Sequence, residues 1–327
     1  DGRWAPARSW AEAPDRNGVR SAPVPPVTTV EAALDYGKRI RRAVPEGVSF
    51  TPLTTCYLTD DSSPEEIERG WRAGAFAAAK LYPAHATTNS AHGVTEVRNI
   101  YPVLERMQRL AMPLLLHGEV TGHEVDIFDR EAVFIERVLQ PLRADLPGLK
   151  IVLEHITTTE AADYVLAAAA PIAATITAHH LVINRNAIFE GGIRPHMYCL
   201  PVAKRERHRL ALRRAAISGN GRFFLGTDSA PHAQHLKEAA CGCAGLFTAP
   251  AAIEVYASVF DEEAALDRLE AFASLNGPAF YGLPVNDGSM TLERRPWSVP
   301  AWVPAGADKI VPFRAGETVG WRIVSAA

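Results

Sequence analysis

Six short apolar runs, separated by helix-forming stretches, set the strongest limit on what this chain can fold into. They are SFTPLTTCYL, FAAAKLY, MPLLLHGEV, LKIVLEHI, IAATIT and RFFLGTDS. Runs so short and so apolar suit strands buried on both faces, as in a parallel sheet covered by helices. The stretches between them carry helix start signals. Thr28-x-x-Glu31 has the form of a capping box, and Ser63-Pro64-Glu65-Glu66 joins an N-cap, a proline at the first helical position and a glutamate at the third. The alternation predicts the α/β class, with one or two strands beyond the six.

Polar residues gather at the C-terminal ends of these runs: Lys80, His117, His155 and Asp228. In a (β/α)8 barrel those ends converge on one rim, where active sites are built. A single histidine after LLL reads as a hydrogen-bonded core residue. His155 repeats the arrangement in IVLEHITT, however, and Asp228 adds a carboxylate on a third strand end. Two imidazoles and a carboxylate form a donor set suited to zinc. Lys80 ends the small apolar run AFAAAK, and a lysine ammonium is seldom buried without a partner. Either it pairs with an acid, Asp228 or Glu119, or its uncharged amine takes up CO2 and becomes a carbamate able to bridge two cations.

Composition narrows the function. Of 327 residues 47% are hydrophobic, enough for a large α/β domain, and 37 acidic residues nearly balance 34 basic ones for a net charge of −3. A nucleic-acid binder would carry a basic excess, so a small-molecule substrate is expected. No apolar run approaches the roughly 20 residues that cross a bilayer, and no signal-peptide pattern is visible. The expectation is a soluble, cytoplasmic protein with no membrane partner. Cys56, Cys199, Cys241 and Cys243 are too few for a disulfide framework, and Cys241-Gly-Cys243 lacks zinc-ribbon spacing, so the thiols are read as reduced and unligated.

Longer motifs carry a family likeness. The stretches TPLTTCYLTD, AAKLYPAHATTNSAHGVT, PLLLHGEVT, DIFDREAVFIE, LEHITT, RPHMYCLPVAKR, LGTDSAPHAQHLKEAACGCAG and NGPAFYGLPVN closely resemble the bacterial class of dihydroorotase, in the amidohydrolase superfamily. The likeness runs from about residue 25 to 327. It implies reversible, zinc-dependent cyclisation of N-carbamoyl-L-aspartate to L-dihydroorotate in pyrimidine synthesis, by a cytoplasmic homodimer with two zinc ions per subunit in a (β/α)8 barrel. Lys80 matches the carboxylated lysine that bridges the ions. His117 and His155 match the ligands of the more exposed metal. Asp228 matches the aspartate that binds the buried metal and shuttles the proton. His232 and the backbone of Leu200 and Ala244 match substrate contacts, and Thr87 and Thr88 match a loop that closes over substrate.

The chain departs from that family at its start. The family pattern opens with His-x-His and Arg-Asp-Gly, whereas no histidine here precedes His85 and the chain begins at Asp1-Gly2. In the family pattern that pair follows the two ligands, so they are expected immediately upstream. Residues 1–24 therefore read as an atypical segment, and 25–327 as an amidohydrolase barrel domain with a C-terminal extension, expected to wrap the barrel irregularly. Residues 3–24 have the family's length but unrelated content, which suggests a shifted reading frame, with real divergence as the alternative. As it stands, the chain is expected to bind at most about one zinc. Two other readings stay open: a hydantoinase- or allantoinase-like cyclic-amide hydrolase, and a non-catalytic barrel lacking its first ligands.

Overall fold

The computed structural model describes residues 3–4, 25–46, 50–169, 171–240 and 242–326. The segment 1–24 lies outside these residues except for Arg3–Trp4, a two-residue strand paired antiparallel with Met290–Glu293.

Each of the six apolar runs holds a strand: β1 Thr55–Tyr57, β2 Ala78–Leu81, β3 Leu114–His117, β4 Ile151–Glu154, β5 Ile172–Ile176 and β6 Phe223–Leu225. All neighbours are parallel, and the spatial order equals the order in the chain. Every crossover therefore advances the same way, as in a barrel; a doubly wound sheet reverses at a switch point. Beyond β1, the carbonyl of Val27 accepts from Tyr57 N at 2.8 Å. Among the described residues no strand continues the sheet past β1 or β6.

The period of two sorts side chains onto two faces. Ala79, Leu81, Leu114, Leu116, Ile151, Leu153, Ile172 and Ala174 join the large core beneath the helices. Ala78, Leu115, Val152, Ala173 and Phe224 form a separate apolar layer on the other face, closed by Phe280 and Tyr281. Two residues further along the same strands stand Lys80, His117, Glu154 and Thr175. The interior is thus apolar at one level and polar at the next, toward the C-terminal ends.

The helices follow their start signals, with one correction. Ser63 Oγ accepts from Glu65 N at 3.1 Å and Glu66 N at 3.3 Å and caps Pro64–Arg72, as its motif predicts. Helix Val30–Ala43 is capped by Thr29, whose hydroxyl accepts from Ala32 N, and not by Thr28. Glu31 is consequently free to take Arg69 at 2.6 and 2.9 Å, while Glu66 accepts from Val30 N. The C-terminal extension is more regular than expected. It forms short antiparallel pairs, Val303–Ala305 with Asp308–Ile310 and Trp297–Ser298 with Thr318–Val319, and Phe313 N bonds back to Phe247 O.

Candidate active site

Lys80 is only 6% exposed and sits in the polar inner layer. Its ammonium contacts Glu154 Oε2 and lies 4.7 Å from the centre of the Tyr82 ring. The partner is thus neither Asp228 nor Glu119, the two acids anticipated. Val152 and Glu154 are two residues apart on β4, so Glu154 faces inward where the lysine can reach it.

His117 ends β3 with its Nε2 2.9 Å from Glu119 Oε2, both side chains being 1% exposed. His155 follows β4 by one residue, and continuing strand geometry would aim it at the helices. Its φ of 45° turns it inward instead, and its ring meets that of His117 edge-on with centres 4.8 Å apart. A non-glycine residue in that left-handed region is strained by roughly 1 kcal/mol or more, a cost that recurs at functional positions. Asp228 has the same feature, with φ 42°.

Two braces hold the turn at His155. Its N–H donates to Thr175 Oγ1 on β5 at 2.7 Å. The buried carboxylate of Glu131 accepts from Thr157 N, from Thr158 N at 2.8 Å and from both threonine hydroxyls. Burial drives the His155 pKa well below the ordinary imidazole value, assisted by the positive charge of Lys80, so the ring is neutral. Burial also pushes the Asp228 carboxyl up, against the opposing pull of Lys80.

Three of the anticipated substrate contacts, Thr88, His232 and Ala244, meet one another. Ala244 N donates to Thr88 Oγ1 at 3.1 Å, and the Ala244 carbonyl lies 3.0 Å from His232 Nε2. Thr87 is held by the buried Ser90, which accepts from Thr87 N and donates to Thr87 O. Gly93 closes the same loop, and a Cβ there would stand 2.3 Å from Tyr82 O. Leu200 follows Tyr198, whose carbonyl accepts from the buried ammonium of Lys237; that ammonium also donates to Cys243 O and Gly245 O. Cys241 lies outside the described residues.

The donors fit a metal. His155 Nδ1 and Glu119 Oε1 are buried without a hydrogen-bond partner. A neutral imidazole with an unmet ring nitrogen, beside a second imidazole and two inward carboxylates, is a nitrogen and oxygen donor set of the kind zinc takes. Sequence reasoning considered Glu119 only as a partner for Lys80 and passed over Glu131 and Glu154. For Glu119 and Glu154 the available signal was position at the end of an apolar run; Glu131, preceded by Asp129-Arg130, carried no such signal.

No protein-family model matches the chain. Dihydroorotase of Novosphingobium aromaticivorans is 66% identical over 302 residues, 92% of this chain and 87% of that protein. The chain belongs to the dihydroorotase family. Among solved structures, the dihydroorotase of Saccharomyces cerevisiae in complex with 5-fluoroorotic acid superposes with a TM-score of 0.84 at 34% identity, covering 92% of this chain and 86% of that one. An L-hydantoinase from Arthrobacter aurescens gives 0.76 at 14% identity, over 94% and 74% of the two chains, a likeness of fold alone. The fold is the amidohydrolase (β/α)8 barrel, and the six described strands belong to it. Dihydroorotases are zinc metalloenzymes acting on small cyclic amides, consistent with the polar layer. No described helix is long and apolar enough to cross a membrane.

Proposed function

We propose that this dihydroorotase-family chain interconverts N-carbamoyl-L-aspartate and L-dihydroorotate in pyrimidine synthesis. The observation that carries the reading is the buried polar cluster at the C-terminal ends of consecutive parallel strands, where the rings of His117 and His155 meet edge-on, Lys80 contacts Glu154, and Asp228 feels the charges of Lys80 and His117. Lys80 as its carbamate, His117, His155 and Asp228 would hold zinc. When bound, zinc supplies Lewis acidity, which polarises the substrate carbonyl and makes water nucleophilic at neutral pH.

The chain's own groups do the rest. Asp228 takes the proton released as water adds to the ring carbonyl and returns it to the departing amide nitrogen; cyclisation runs the same path backward. Glu119 holds the His117 ring, and burial keeps His155 neutral with a lone pair to offer. Thr87, Thr88, His232 and the backbone of Leu200 and Ala244 bind the substrate's polar groups and exclude water, exchanging their present mutual contacts for it.

We read residues 25–327 as one barrel domain with its C-terminal extension, and the protein as a cytoplasmic homodimer, following the family. A polypeptide of residues 1–327 offers Lys80, His117 and His155 to one ion but only Lys80 and Asp228 to a second. At this centre it is therefore expected to hold at most about one zinc and to turn over slowly. The test assays that polypeptide with dihydroorotate, hydantoin and allantoin, alongside metal analysis. Turnover of hydantoin or allantoin without dihydroorotate refutes the substrate, and two zinc ions held tightly by nitrogen and oxygen donors alone refute the stoichiometry.

A further inference from the structure

A second cluster of metal-binding side chains lies outside the groups assigned to the reaction. His179 and His180 belong to the short helix Ala178–Val182, and Cys199 lies in the segment that follows Tyr198. All three are buried, at 0%, 2% and 1% exposure, and one donor atom from each lies within 4.8 Å of the other two. Both ring nitrogens of His179 lack any hydrogen-bond partner. An imidazole sealed from water with neither nitrogen engaged carries an uncompensated desolvation penalty that a bound cation would relieve.

The spacing among Cys199, His180 and the Pro201 carbonyl is close to that of a tetrahedral site. Cys199 Sγ lies 3.6 Å from His180 Nε2, and the Pro201 carbonyl oxygen lies 3.1 Å from that nitrogen and 3.2 Å from the sulfur. With zinc–sulfur and zinc–nitrogen bonds of about 2.3 and about 2.0 Å, tetrahedral angles separate sulfur from nitrogen by about 3.5 Å. The His180 tautomer is also provided for. Nε2 faces the Pro201 carbonyl, which only accepts, so without an ion the ring proton sits there; Thr177 Oγ1, 2.8 Å from Nδ1, can accept that proton once it moves to Nδ1 and frees the Nε2 lone pair for an ion.

We propose that His179, His180 and Cys199 form a second, buried binding site for a borderline-soft divalent ion such as Zn2+, with the Pro201 carbonyl as fourth donor. On binding, the Cys199 S–H bond breaks, its proton leaves to solvent and the sulfur electron pair goes to the ion. The ion ties helix Ala178–Val182 to the segment that carries Leu200. The site uses none of the groups assigned to the reaction and stands if that reading fails.

Cobalt titration of the metal-stripped full chain tests it, because a thiolate–cobalt charge-transfer band arises only where sulfur binds, not at a nitrogen and oxygen centre. The parent should show the band, the C241S/C243S double variant should keep it, and C199S should lose it. H179Q should weaken the affinity read from the band by at least about tenfold, the low end of what even an outer partner contributes. No band in the parent, a band surviving C199S, or one lost in C241S/C243S overturns the site. Should C199S fail to fold, X-ray absorption of the zinc-loaded parent and H179Q decides. Sulfur at about 2.3 Å, depleted in H179Q, supports the site; sulfur absent from the parent or unchanged in H179Q refutes it.

Discussion

Glu131→Gln isolates what one buried acid does for His155. Glu131 is 1% exposed and faces only donors: Thr157 N at 3.0 and 2.9 Å from its two oxygens, Thr158 N at 2.8 Å, and both hydroxyls. Glutamine keeps the volume but turns one acceptor into an NH2 donor. The better amide orientation leaves oxygen at the Oε1 position, within reach of both backbone N–H groups, and sets NH2 where Oε2 stood, 2.9 Å from Thr157 N. The hydroxyl of Thr157 can rotate to accept, but its backbone N–H cannot. One strained donor pair and the loss of charge assistance in the remaining bonds give an expected loss of about 1–3 kcal/mol. Burial already pushes the Glu131 carboxyl up, which offsets part of this and favours the lower half of the range. Glu131→Ala, which leaves two buried N–H groups without an acceptor, should lose more. Urea unfolding reads the stability. Chelator competition reads zinc affinity, which should weaken about tenfold or more because the turn carrying His155 shifts. If Glu131→Gln matches the parent in both, the carboxylate does not position His155.

Other outcomes follow from the same geometry. Glu154→Gln should destabilise the metal-free protein by about 3–5 kcal/mol by stranding the Lys80 ammonium. With zinc and bicarbonate the loss should shrink, because a carbamate at Lys80 and Glu154 carry like charge; an equal loss in both states would show that Lys80 stays an ammonium. Gly93→Ala sets a methyl 2.3 Å from Tyr82 O and should open residues 84–93, raising their hydrogen exchange and the KM together; unchanged exchange refutes the tight closure. Burial lowers the pKa of His180 from 6.5 to about 3 and that of His155 well below 6.5, so the unfolded chain binds more protons through that window. Stability of the metal-free protein should therefore fall as pH drops below 6.5, with a smaller slope in His180→Gln; an identical slope in that variant counts against the assignment.

The barrel strands were legible from local pattern. Apolar runs bounded by polar residues mark a sheet buried on both faces, and all six marked runs hold strands, because burial and the period of two act on consecutive residues. Lys80, His117, His155 and Asp228 stood out for the same reason, as polar groups where an apolar run stops. The cap of the first long helix was misplaced by one residue, since Thr28 and Thr29 offer the same hydroxyl and only the path of Val27 beside β1 separates them.

The remaining features depended on partners distant in the chain. That Lys80 meets Glu154 follows from the inward register of β2 and β4, with β3 between them, and that His155 enters the interior follows from one left-handed backbone angle. Glu131 matters through threonines of another segment, Thr88 through Ala244, and His179 through having no hydrogen-bond partner for either ring nitrogen. Local sequence carries hydrophobic period and helix-start chemistry, which nearest neighbours suffice to express. Which buried polar groups are paired, and which are left open for a metal, is settled only when folding removes water and brings separate strands within hydrogen-bond distance.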